Sequence, residues 1–155
     1  MKKTLLLQLT FAFFFLFTAA GLQAMDMDHG QDHSGMDMGG DTIMLDNDMQ
    51  EGVMASAHLR DISKKMKKLG MNQTHHFMIM FTDHNTQKAI DTGIVAVKVI
   101  DPEGNEHKAV KLMGMEGSFG VDVALNKRGK YTFEVGTKLA DNTKRQFRFT
   151  YMSQS

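Results

Sequence analysis

Past its first forty residues the chain is patterned for strands. Val53, Ala55, Ala57 and Leu59 alternate with Met54, Ser56, His58 and Arg60, the period of two that sends successive side chains to opposite faces of a sheet. Ile43-Met44-Leu45 predicts a short strand ahead of it, with order beginning near Thr42. Further runs at 74–82, 93–100, 107–113, 119–125, 131–135 and 144–152 read as strands; in the last, Phe147, Phe149 and Tyr151 alternate with Gln146, Arg148 and Thr150. Asp101-Pro102-Glu103-Gly104-Asn105 places Pro and Gly where a β-turn wants them. Asn126-Lys127-Arg128-Gly129 reads as a hairpin connection. One interruption is helical: Asp61 as a cap, Ile62, Met66 and Leu69 on one face, and an end at Gly70. Its four lysines, Lys64, Lys65, Lys67 and Lys68, read as a solvated face. Short strands at this spacing, joined by turn signals, predict an all-β protein: an immunoglobulin-like antiparallel β-sandwich with one short helix, over residues 42–155.

The first forty residues differ in kind. Met1-Lys2-Lys3 is a short basic start, and an apolar stretch from Leu5 follows, ending in Ala19-Ala20-Gly21-Leu22-Gln23-Ala24. These are the three parts of a secretory signal, predicting residues 1–24 as a signal peptide cleaved after Ala24, with Ala20 the alternative. Export to the periplasm follows, and no later stretch is long and apolar enough to span a membrane. Residues 25–41 hold only Met, Asp, His, Gly, Gln and Ser. With no branched or aromatic side chain they bury too little to offset the entropy of ordering, so a disordered tail is expected.

Charge and composition narrow the function classes. Two lysines leave with the signal, so the mature chain carries 16 Lys+Arg against 18 Asp+Glu, no match for the basic surface a nucleic acid needs. There is no Cys, hence neither disulfides nor thiolate ligands. Enzyme motifs are missing too. Ser118, in Glu-Gly-Ser-Phe-Gly, lacks the first Gly of a nucleophile elbow, and there is neither a phosphate-binding glycine loop nor a His-Glu-x-x-His. A non-catalytic protein is expected.

What stands out is methionine, with 15 Met and 7 His in 155 residues, more Met than a core of this size asks for. The tail offers Met25, Met27, His29, His33, Met36 and Met38. The strand at 74–82 offers His75 and His76, with Met78 and Met80; alternation places His75 with Phe77, Ile79 and Phe81, and His76 with Met78 and Met80. The alternative for Met78 and Met80 is packing beneath the helix, since Met fills irregular gaps. Met113 and Met115, in a Gly- and Met-rich stretch read as a loop, complete the candidates. His58 and His107 read as ordinary surface histidines. Thioether sulfur is soft, neutral and does not titrate, so it selects Cu(I), and imidazole accepts Cu(I) and Cu(II) alike. The expected function is copper binding, for sequestration or delivery. The alternative is an interaction module whose partner is another envelope protein and whose tail is a spacer or an oxidant buffer, since Met sulfoxide forms reversibly.

From about Met71 to Tyr151 the chain resembles the YtkA-like immunoglobulin-fold proteins of bacterial envelopes. The resemblance is carried by Thr74-His75-His76, by Val97 through Gly104, by Met115 through Asp122, and by Gly129-Lys130-Tyr131. It implies the fold more than an activity, although several such proteins accompany metal resistance. The tail resembles the Met/His/Asp/Gly-rich segments of periplasmic copper-resistance proteins.

Overall fold

The computed structural model describes residues 41–154. The predicted signal peptide and nearly all of the predicted tail therefore lie outside the described residues. Nine strands and one helix follow in order: β1 (Thr42–Gln50), β2 (Val53–Asp61), α1 (Ser63–Lys68), β3 (His75–Asp83), β4 (Gly93–Ile100), β5 (Val110–Lys111), β6 (Met113–Met115), β7 (Ser118–Val123), β8 (Gly129–Leu139) and β9 (Lys144–Ser153). They form two antiparallel sheets, β1-β2-β3-β7-β6 and β5-β4-β8-β9.

This is the immunoglobulin-like sandwich the patterning predicts. β2-β3-β7-β6 take the places of strands A-B-E-D, and β4-β8-β9 those of C-F-G, with β5 beside C. The corner feature of that architecture is present as well. Tyr131, buried at the start of β8, accepts a hydrogen bond at its hydroxyl from Lys127 N at 2.8 Å. β1 is an addition at the edge. It joins β2 through Glu51 and Gly52, both at positive φ (46° and 77°), the requirement of a tight turn matched to strand twist. Its register slips between Met44 and Asn47. Beyond this bulge Asp48 Oδ2 accepts from Arg148 N of β9 at 2.9 Å, which ties the two sheets together along one side.

The inner faces meet over aromatic rings. Phe77 of β3 stacks on Phe133 of β8, with centroids 5.0 Å apart and planes 9° apart, and Phe81 meets Phe147 of β9 at 5.4 Å. Such pairs add roughly 0.5–1.5 kcal/mol each beyond the area they bury. Val95, Val97, Val135, Ala55, Ala57 and Leu59 fill the spaces between them, all buried.

Five expectations are corrected. The segment 107–113 is not one strand. The chain runs β5 on one sheet, turns inward at buried Leu112, and resumes as β6 on the other. The Gly- and Met-rich stretch is not a loop but a β6–β7 hairpin, closed by Glu116 and Gly117 with Gly117 at φ 69°. Asn126 to Gly129 is not a hairpin connection, because β7 and β8 lie in different sheets. On α1, Ile62 and Met66 are buried but Leu69 is 63% exposed, since the helix ends at Lys68 before completing the turn that would carry Leu69 inward. Asp61 stands one residue outside the cap position, held by Ile62, and its carboxylate accepts from Ser63 N at 2.7 Å.

A candidate metal centre on the outer face of the five-stranded sheet

Alternation along each strand decides what the outer face of the five-stranded sheet presents. On β3 the inner positions His75, Phe77, Ile79 and Phe81 are buried, and His76, Met78 and Met80 look outward. Registers carry that face sideways. Directly opposite residues in an antiparallel pair share a face. Met78 pairs with His58 of β2, which pairs with Met44 of β1. On its other side Met78 pairs with Gly120 of β7, which pairs with Met113 of β6. One row across five strands therefore reads Met44, His58, Met78, Gly120, Met113. The next row reads Arg60, His76, Asp122. Met49 and Met54 face each other farther along β1 and β2. Seven methionines share this face, whereas Met66 alone of the described methionines is counted in the core. The methionine excess in the folded domain is thus a surface feature.

Gly120 is the centre of the geometry. A side chain built there would have its Cβ 2.7 Å from His76 Nε2 and 3.3 Å from Met115 Sδ. The two donor atoms thus converge over one glycine, no farther apart than the sum of those distances. Met78 is the cross-strand neighbour of the same glycine. Glycine leaves the gap into which a nitrogen and a sulfur both point.

Asp122 fixes which nitrogen that is. Its Oδ1 lies 2.5 Å from His76 Nδ1. In the neutral ring the carboxylate can only accept, so Nδ1 carries the hydrogen and Nε2 keeps its lone pair. A carboxylate behind a histidine in this way orients the ring and fixes its tautomer. Arg60 flanks His76 on the other side.

His58 is set apart by its surroundings. Its Nδ1 is buried and has no hydrogen-bond partner within the protein. Burial first, then the Arg60 guanidinium and His76, push its pKa below the ordinary histidine value. The ring is therefore held toward the neutral form that can ligate.

The sequence candidates separate as follows. Met25, Met27, His29, His33, Met36 and Met38 lie outside the described residues. His76, Met78, Met80, Met113 and Met115 share the outer face. His75 does not join them. It is buried on the inner face, with Nδ1 2.9 Å from Thr74 Oγ1 and its ring 5.7 Å from that of Tyr151. Burial lowers its pKa, and Asp61 opposes that shift. Met80 is 39% exposed and five residues along β3 from the end where α1 joins it, so the helix does not cover it. Asp122, Gly120 and Met44 are not among the sequence candidates, and His58, read there as an ordinary surface histidine, instead has its Nδ1 buried. Among the described residues no three His, Asp or Glu side chains gather as a metal site; the donors that converge are the Met115 thioether and the His76 imidazole. No helix among them is long and apolar enough to cross a membrane.

No family model matches the chain, and no curated protein matches it in sequence. Among solved structures it resembles the PmoD soluble domain from Methylocystis sp. ATCC 49242 (Rockwell), at 10% identity, over 71% of this chain and 96% of that one, with a TM-score of 0.42. The likeness is distant, and nothing follows from it.

Proposed function

We propose that this is a non-catalytic copper-binding protein of the periplasm, which takes Cu(I) on the outer face of the five-stranded sheet. His76 Nε2, Met115 Sδ and the thioether of Met78 are the ligands, and Asp122 orients the imidazole. The observation that carries this reading is the convergence of His76 Nε2 and Met115 Sδ over Gly120. A soft, neutral donor set with one imidazole suits Cu(I) better than Zn(II), Ca(II) or Mg(II). Methionine's rotatable side chain lets each sulfur close on an ion without moving the strand. The N-terminal signal would export the chain, and Met25, Met27, His29, His33, Met36 and Met38 would add capture sites for sequestration or delivery. An oxidising compartment removes thiols as ligands but leaves thioethers in place.

Anaerobic titration of the mature chain with Cu(I) against a competing chelator, beside Cu(II), Zn(II) and Ni(II), tests the reading. Cu(I) is expected to bind more tightly than Zn(II), and deleting residues 25–40 should lower the stoichiometry without abolishing binding. Weak binding with no preference among the ions would overturn it.

A second reading has its own observation. Met44, Met80, Met113 and Met115 expose apolar surface on one face, Met113 at 74%, and adaptable methionine surfaces also dock proteins. The partner would then be another envelope protein and the tail a spacer or oxidant buffer. A complex recovered equally with and without metal would favour this reading.

A further inference from the structure

The proposed site uses one end of the methionine row. The other end holds a second set of donors of the same chemistry. Met44, His58 and Met78 stand directly opposite one another on β1, β2 and β3. Side chains in such positions leave strands that are only about 5 Å apart, within mutual reach for methionine. Met44 is 64% exposed, so no packing duty holds it in place. His58 Nδ1 is buried with no partner, where a buried polar atom ordinarily has one. Surface packing accounts for neither. The register slips between Met44 and Asn47, and Met44 is the last residue before that bulge to stand opposite a β2 partner, His58.

We propose that His58 and Met44 form a second Cu(I) station on this face, with Met78 between the two stations and able to ligate in either. The proposal rests on the copper reading of the first station. The face then holds two ions, or passes one between neighbouring sites through a shared thioether. Transfer of this kind leaves the oxidation state unchanged: each step exchanges one neutral ligand for another, and no proton or electron moves.

The test is site-resolved. Methionine methyl groups are labelled with carbon-13 in the full mature chain, and their NMR signals are followed during anaerobic addition of Cu(I). Met115 reports the first station and Met44 the second. Both signals are expected to shift. In His58→Gln the Met44 shift should be lost while the Met115 shift persists, which also shows that the variant is folded. A Met115 shift without a Met44 shift in the wild-type chain would overturn the second station and leave the first standing. A Met44 shift that survives His58→Gln would overturn the role of His58. No shift at either methyl would overturn both stations together.

Discussion

His76 Nδ1 and Asp122 Oδ1 face each other across β3 and β7 at 2.5 Å, which leaves His76 Nε2 pointing at the gap above Gly120. In the proposed site Asp122 is a positioning residue, not a ligand. Asp122→Asn keeps the shape but no longer requires a hydrogen on Nδ1. Loss of such a partner commonly costs about 10–100-fold in metal affinity, and that loss is expected here for Cu(I), with the urea unfolding midpoint nearly unchanged. Equal affinity in wild type and variant would show that the pair has no part in binding.

Gly120→Ala tests the gap itself. The new methyl would meet His76 Nε2 at 2.7 Å and Met115 Sδ at 3.3 Å, so both donors must move apart. Alanine in place of a strand glycine otherwise tends to help stability, by about 0.5–1 kcal/mol. The expected result is weaker Cu(I) binding, with the strand gain from alanine offset by the displacement of His76 from Asp122. Competition titration and urea denaturation on the same preparation separate the two effects.

Much of this was legible in the strands and little of it in the site. The alternation of β2, β3 and β9 is nearly complete in the sequence because each has one buried face. It correctly put His76, Met78 and Met80 on one side of β3 and His75 on the other. The pairing of strands was not legible. Whether Gly120 or Asp122 lies opposite His76 depends on a register between segments about 45 residues apart, and nothing local to either segment encodes it. The sheet switch at Leu112 was hidden for a related reason: one buried leucine between exposed residues looks the same inside a continuous strand as at a crossing between sheets. Asn126 to Gly129 misled because its residues suit a turn, whereas the two strands it joins belong to different sheets.

The core makes a plainer prediction. Phe133 is fully buried and stacked on Phe77, so Phe133→Ala should cost about 3–5 kcal/mol. Tyr131→Phe removes only the acceptor for Lys127 N, which should cost about 1 kcal/mol. Urea midpoints with an unchanged slope would report both. Equal losses in the two variants would contradict the packing described.

Acid should weaken the fold through Asp101. Its side chain is 3% exposed, accepts from Glu103 N, Asn105 N and Asn105 Nδ2, and pairs with Lys127 Nζ at 2.5 Å. The Lys127 hydrogen bond first, then that of Asn105, holds its pKa well below the usual carboxylate range. The folded pKa lies below the unfolded one, so this stabilisation is complete above the unfolded value, about 3.9, and fades as pH falls below it. Asp101→Asn should be less stable than wild type at pH 7, and the gap should narrow between pH 4 and pH 2. A gap independent of pH would show that the charge on Asp101 contributes nothing.

Imidazole and thioether on the outer sheet face are proposed to hold Cu(I). The most direct measurement is the anaerobic Cu(I) competition titration of the mature wild-type chain beside His76→Ala/Met115→Leu, which removes both donors above Gly120 and leaves residues 25–40 intact. The double variant is expected to lose one tight Cu(I) site and to keep the Met44/His58/Met78 station and the weaker sites of the tail. Identical titration curves for the two proteins would contradict this and would take copper binding away from the gap above Gly120.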